Sequence, residues 1–239
     1  MPDSQRSLFL AYSTYTGDKE TFENWYDEVH IPDVLSAPGL RNAQRFVLAD
    51  TKPMPGVDSP DLGHLAYYEL EGDPTPFREE VKRQLMSGEM VLPDFMNQPF
   101  KTLIMEPVSE IVYANGIEPG TLPEDRHLFM AFSRYTGDEA TFNKWYDEVH
   151  VPQVLSAPGL VRAQRFVTSG VKPLPGVETP DLGHLALYEM EGDPTPFRDE
   201  VKRLLMSGEM VIPDFMIQPF TTMIMKPVSR PAQASVSAP

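Results

Sequence analysis

Apolar residues along this chain alternate with polar ones in some runs and recur at helical spacing in others, and the order of the runs is informative. Ser7–Thr14 is a short stretch of apolar and hydroxyl residues that reads as a strand. Asp18 offers an N-cap carboxylate, and Thr21 and Phe22 begin a helical pattern. At 100° per residue, Phe22, Trp25, Tyr26 and Val29 form one apolar face, with Asn24, Asp27 and Glu28 opposite. Pro32 has no N–H to donate, and its ring would meet the carbonyl of Glu28, so the helix is expected to kink or restart there. Ser36-Ala37-Pro38-Gly39 ends it. Leu40–Ala49 and Leu62–Glu71 read as a second and a third strand on either side of a Pro-rich loop, Thr51–Asp61. Pro74–Ser87 reads as a second helix and Gln98–Val108 as a fourth strand. The resulting order, βαββαβ, is the split βαβ or ferredoxin-like plan.

The same pattern then returns. Leu8–Ser109 aligns without a gap on Leu128–Ser229, with about three quarters of the positions identical. Two long copies imply a duplicated domain, since a solenoid would need several short units. A single βαββαβ unit carries both helices on one face of its sheet and leaves the other face apolar and uncovered. The second copy is expected to cover it, sheet against sheet, from a high effective concentration. The expected organisation is therefore α+β, with a first module over 1–109, a linker over 110–126, a second module over 127–229 and a disordered tail over 230–239.

Composition narrows the function classes. The chain has 239 residues, 41% hydrophobic and 23% charged, as ordinary globular proteins have. It has no cysteine, which excludes disulfides, thiolate metal sites and thiol nucleophiles. A net charge of -15 speaks against nucleic acid or an anionic membrane as a partner. No apolar run has the length of a membrane span, and the first residues lack a signal-type pattern, so a cytoplasmic protein is expected.

Four histidines sit at equivalent places in the two copies. His30 and His150 lie at the shoulder of the first helix, with Tyr26 or Tyr146 four residues earlier and an aspartate three residues earlier. Each is either a pocket ligand or a histidine that bonds a carbonyl freed by the proline bend. His64 and His184 begin the third strand, where alternation places His64, Ala66 and Tyr68 on one face and Leu65, Tyr67 and Glu69 on the other. His64 and Tyr68, like His184 and Tyr188, form a pocket wall, a sheet-end pair near solvent or a contact with the other copy. A neutral imidazole is the usual general base near pH 7, and a phenol can donate to a developing oxyanion. Arg45 and Arg165 offer guanidinium groups for a carboxylate, against the plainer expectation of strand arginines paired with Glu69 and Glu189. The repeated MSGEMVLPDFM and MSGEMVIPDFM stretches read as packing or pocket lining. His127 stands where the first copy has Ser7 and receives no role. No metal-binding, phosphate-loop or serine-hydrolase motif is present, so neither metal nor cofactor is expected.

The phrase Trp25-Tyr26-Asp27-Glu28-Val29-His30-Ile31-Pro32, followed by Leu35, Ala37-Pro38-Gly39 and Arg45-Phe46, resembles the EthD-like branch of the dimeric α/β-barrel superfamily. The second copy matches through Trp145, Tyr146, His150, Pro152, Pro158, Gly159, Arg165 and Phe166. The resemblance covers both modules, about 85% of the chain. It implies two ferredoxin-like modules packed as a single-chain dimeric α/β barrel, where relatives use two chains. It further implies one pocket per module between sheet and helices, faced by the helix histidine. The superfamily includes cofactor-free isomerases, polyketide cyclases and anthrone-type monooxygenases, as well as haem-binding members whose axial-ligand motif is not matched here. Two functions follow as expectations. One is a cofactor-independent enzyme on a small hydrophobic carbonyl or aromatic compound. Its bases would be His30 and His150, assisted by Tyr26 and Tyr146, with His64, His184, Tyr68, Tyr188, Arg45, Arg165, Trp25 and Trp145 binding substrate. The other is a non-catalytic binder or accessory protein of the same fold. The expected partner is a small molecule, with the two copies as an intrachain pseudo-dimer that leaves room for a further homodimer.

Overall fold

A computed structural model describes residues 6–51, 54, 56–120, 125–172 and 174–234. The first half contains β1 (Arg6–Ser13), α1 (Lys19–Trp25), a π-helical turn (Tyr26–His30), α2 (Ile31–Leu35), β2 (Leu40–Leu48), β3 (Val57–Asp58), β4 (His64–Glu71), α3 (Thr75–Ser87), β5 (Phe100–Pro107) and β6 (Val112–Tyr113). The second half repeats the order with β7 (Arg126–Tyr135), α4 (Glu139–Trp145), a second π-helical turn (Tyr146–His150), α5 (Val151–Leu155), β8 (Leu160–Thr168), β9 (Val177–Glu178), β10 (His184–Glu191), α6 (Thr195–Ser207), β11 (Met216–Pro227) and β12 (Ala232–Gln233). The long strands and the helices follow the βαββαβ plan in both halves. Among the described residues, no helix is long and apolar enough to cross a membrane.

Within each half the long strands are antiparallel, in the orders β2-β4-β1-β5 and β8-β10-β7-β11. The halves meet at two seams. Met105–Pro107 of β5 pairs with Phe166–Thr168 of β8, and Met225–Pro227 of β11 pairs with Phe46–Leu48 of β2. The two sheets therefore face each other and are also hydrogen-bonded edge to edge, which closes the barrel and removes its open edges. Alternation sends Leu8, Leu10, Leu65, Tyr67, Leu103 and their counterparts into the barrel, where they are fully buried. The opposite residues, such as Phe9, Ala66, Tyr68 and Ile104, pack under Phe22, Tyr26, Phe77 and Val81 of the helices.

One end of the barrel interior is charged. Arg6 donates to Glu69 at 2.7 Å and to Glu189 at 2.9 Å, while Arg126 and Arg162 reach Glu189 at 3.0 and 2.9 Å. Burial pushes the Glu189 carboxyl up, but the guanidinium groups of Arg6, Arg126 and Arg162 outweigh it and hold the group well below the usual carboxylate range. Gln44 and Gln164 accept from Arg126 and Arg6, at 2.9 and 2.8 Å. This network joins the two halves.

The expected disordered tail is corrected in its first part. Ala232–Gln233 pairs with Ala43 and Asn42 of β2, and the Ala234 amide donates to the Arg41 carbonyl at 2.9 Å. Within the expected linker, Val112–Tyr113 pairs with Ala163 and Arg162 of β8 in the same way. Both straps satisfy backbone groups at the end of β2 or β8 that the seam strand does not reach. Residues 235–239 lie outside the described part.

Candidate functional site

The first helix begins as its residues require, with the Thr21 amide donating to Asp18 Oδ2 at 2.8 Å. The break at Pro32 takes a particular form. Because Pro32 cannot donate to Glu28, the chain widens into a π turn in which the Ile31 amide donates to the Tyr26 carbonyl. The wider turn rotates the residues after Trp25 away from an ideal wheel. Val29, expected on the buried face, is consequently 47% exposed, and Val149 is 51% exposed. His30 is carried inward. Its ring stacks on Trp25 at 4.8 Å and 19°, and meets Tyr26 edge-on at 5.0 Å. The second half repeats this, with His150 at 4.6 Å from Trp145 and 5.2 Å from Tyr146.

Between helices and sheet, each half holds a small cavity of about 60 Å³. In the first half its polar lining comes from Ser13 of β1, Tyr26, His30 and Thr102 of β5. In the second it comes from Ser133, Tyr146, His150 and Thr222. The remainder is apolar and includes Met90 and Met96, or Met210 and Met216, from the Met-rich stretches. Gly63 precedes β4 at φ +87°, and a Cβ there would lie 2.3 Å from the Ser13 carbonyl oxygen. Only glycine lets β4 approach β1 so closely beside the cavity floor.

Desolvation by the surrounding rings pulls the His30 and His150 imidazoles down to about 4, although each keeps an outer edge in contact with solvent. Both are thus neutral at pH 7, and His150 Nδ1 is buried with no partner among the described residues. Burial raises the Tyr26 and Tyr146 phenols, with nearby serines and arginines opposing it, so both stay protonated. The Tyr146 hydroxyl donates to Ser133 Oγ at 3.1 Å. Each site therefore offers a neutral imidazole and a protonated phenol, with one serine and one threonine beside them, on an otherwise apolar wall.

The other residues singled out in the sequence surround this cavity without all reaching it. Trp145 lines its cavity, while Trp25 backs His30. Tyr68 and Tyr188 face the helices, as alternation requires, but neither lines these two cavities; both hydroxyls are buried with no partner among the described residues. Burial raises both phenols well above their usual range. His64 and His184 also face the helices, yet at the strand end, packed against Phe22 at 4.7 Å and Phe142 at 4.9 Å. Burial, and then the charge of Arg45 or Arg165, lowers both imidazoles. His30 and His64 do not share a cavity.

The pairing of Arg45 with Glu69 is a correction. Arg45 lies on the helix side of β2, alternating with Gln44 and Phe46, so it cannot meet a carboxylate inside the barrel. It grips Asp27 of the π turn through two 2.7 Å bonds, and Arg165 holds Asp147 at 2.7 Å. The Arg45 guanidinium also covers the Tyr26 ring at 5.4 Å. These arginines fix the turn that carries the histidine. Ser13, Thr102 and their counterparts were not singled out in the sequence. Their strand positions opposite the helix face are the only signal that marks them.

Among the described residues, no three histidine or carboxylate side chains gather as a metal-binding group. Neither cavity, at about 60 Å³, has room for a haem as it stands.

No family model matches the chain, and no curated protein matches it in sequence. Solved structures do match its shape. An anthrone oxidase-like protein superposes with a TM-score of 0.62 at 12% identity, over 97% of this chain and 94% of its own. A provisionally assigned monooxygenase from Fusobacterium nucleatum gives 0.53 at 10% identity, over 95% and 94%. A chlorite dismutase variant from Candidatus Nitrospira defluvii gives 0.53 at 11% identity, over 93% and 92%. The fold is the dimeric α/β barrel, here formed by one chain. At such identities the likeness speaks for fold alone.

Proposed function

We propose that this chain is a cofactor-independent enzyme of the isomerase, cyclase, lyase or oxygenase type, an EthD-like protein arisen by tandem duplication. It would act on a small hydrophobic carbonyl or aromatic compound. The observation that carries the reading is the neutral, enclosed imidazole beside a protonated phenol in each half. His30 or His150 takes a proton from a carbon next to a carbonyl or conjugated with it; the C–H electron pair becomes a C=C bond and the carbonyl π pair moves to the oxygen. Tyr26 or Tyr146 donates to that oxygen as charge develops there. The imidazolium and the enolate then stabilise one another in a dry setting, which offsets the low basicity that burial imposes. Trp25 and Trp145 stack on the base and hold its plane. Arg45, Arg165, Tyr68, Tyr188, His64 and His184 support the turn and the sheet behind the cavity. The anthrone oxidase-like neighbour suggests a probe, since anthrone carries an acidic CH₂ conjugated to its carbonyl through the two flanking rings.

The test is proton exchange. Incorporation of deuterium from D₂O into anthrone should be accelerated by the protein. The double variant His30→Ala, His150→Ala should lose about 10²–10⁴-fold of that rate. Tyr26→Phe with Tyr146→Phe should lose less. Exchange that is unchanged in the histidine double variant would sink the assignment. Binding of anthrone without exchange would favour the non-catalytic binder.

A further inference from the structure

Neither cavity is finished by its own half. Leu174, from the Pro-rich loop of the second half, is 7% exposed and lines the His30 cavity together with Val177. Met54, from the loop of the first half, is also 7% exposed and lines the His150 cavity with Val57. Among the described residues, no member of a half's own Pro-rich loop lines that half's cavity. The crossing is anchored by backbone. Val177–Glu178 pairs in parallel with Phe100–Lys101 of β5, and Val57–Asp58 pairs with Phe220–Thr221 of β11. Upstream of Leu174, Arg78 Nε donates to the Lys172 carbonyl at 2.9 Å.

Size makes this crossing consequential. A void of about 60 Å³ corresponds to roughly two waters, whereas a cavity known to take a benzene ring measures about 150 Å³. Some part of the wall must move before a ring can enter. The floor is held by the ladders of β1 and β5, and the sides by the apolar core under α1 and α3. Leu174 lies instead between the backbone anchors at Lys172 and Val177–Glu178 and belongs to neither.

We propose that the side chains of Leu174 and Met54 are the size filters of the pocket in the opposite half, Leu174 admitting guests to the His30 pocket and Met54 to the His150 pocket. The two filters differ. Leucine is branched and has few rotamers, while methionine is unbranched and adapts its shape, so the His150 pocket takes the bulkier ring. This holds for an enzyme and for a binder alike, because it concerns entry and not turnover.

The test follows the ring signals of His30 and His150 by NMR while 2-naphthol is titrated into the full chain. The wild-type protein should bind 2-naphthol more tightly at His150. Leu174→Met should tighten binding at His30 about tenfold, the scale of one methylene in an apolar pocket, and leave His150 unchanged. Met54→Leu should weaken binding at His150 alone. Without ligand, Leu174→Gly should raise the titration midpoint of His30 and not of His150. Leu174→Ala, with circular dichroism, gives a milder version should the glycine variant unfold. A change at the histidine of the loop's own half, or no change at either, would overturn the proposal. So would failure of 2-naphthol to enter the glycine-opened pocket. Loss of anthrone exchange with these crosswise effects intact would count only against the catalytic reading.

Discussion

Tyr67 and Tyr68 are consecutive residues of β4, both fully buried, and they face opposite surroundings. Tyr67 points into the barrel, where its hydroxyl donates to Glu69 at 2.9 Å and Arg126 covers its ring at 5.1 Å. Tyr68 points toward the helices, and its hydroxyl has no partner among the described residues. The layers differ in the same way. The barrel interior gathers Arg6, Arg126 and Arg162 around Glu69 and Glu189, each with a matching group. The helix layer leaves polar atoms of Tyr68, Tyr188, His64, His150 and His184 without a partner among the described residues, and of these His150 alone lines one of the two cavities. Buried polar groups without partners are costly and uncommon, yet those of Tyr68 and Tyr188, like those of His64 and His184, recur at equivalent places in the two halves. The interior joins the halves; the helix layer carries the His30 and His150 cavities.

The comparison can be broken most forcefully in the barrel. Glu189→Ala would leave three guanidinium groups facing one carboxylate, and should cost about 3–5 kcal/mol, read from urea unfolding at pH 7. A loss below about 1 kcal/mol would mean that the interior network does not hold the halves together.

The helix layer responds to acid instead. The imidazoles of His30 and His150 are held at about 4, below the ordinary histidine value near 6.5. Between those values the unfolded chain binds protons that the folded chain refuses. Stability is therefore complete above about pH 6.5 and falls as pH drops toward 4, by about 3 kcal/mol for each histidine. The Glu189 carboxyl is depressed and contributes its own loss only at lower pH. Unfolding midpoints at pH 7, 5.5 and 4.5 check this. Replacing both histidines by glutamine should flatten the slope; an unchanged slope would place the acid sensitivity elsewhere.

The smallest and sharpest contrast lies in the tyrosine pair. Tyr67→Phe should cost about 0.5–1.5 kcal/mol, because Glu69 loses a buried donor. Tyr68→Phe should be neutral or slightly stabilising, since it removes a hydroxyl that has no protein partner. Equal costs would erase the distinction between the layers.

Much of this was legible in local chemistry. The Asp18 cap, the break at Pro32 and the alternation along β4 depend on neighbours a few residues away, and all three appear in the structure. The shape of the break was less legible. An ideal wheel buries Val29, and the π turn exposes it, because with no Pro32 donor for Glu28 the Ile31 amide bonds the Tyr26 carbonyl in place of the Asp27 carbonyl. The separation of His30 from His64 was not legible at all. Both sit on the helix-facing side, and only the packing of Tyr15 and Phe22 assigns His64 to a different place.

The sequence by itself determined that there are two copies, the order of their elements, and which residues of each strand share a face. Those properties follow from identity at a constant offset, side-chain periodicity and the stereochemistry of proline and N-caps, all of which act over short stretches of chain. Tertiary structure decided the partners. Arg6 meets Glu189 across 183 residues, Arg45 takes Asp27 in place of Glu69, and Leu174 closes a pocket whose histidine belongs to the other half. Charge and apolarity are needed for each of these contacts, but they do not choose among several equivalent partners. That choice is made by which strand edges join when the barrel closes.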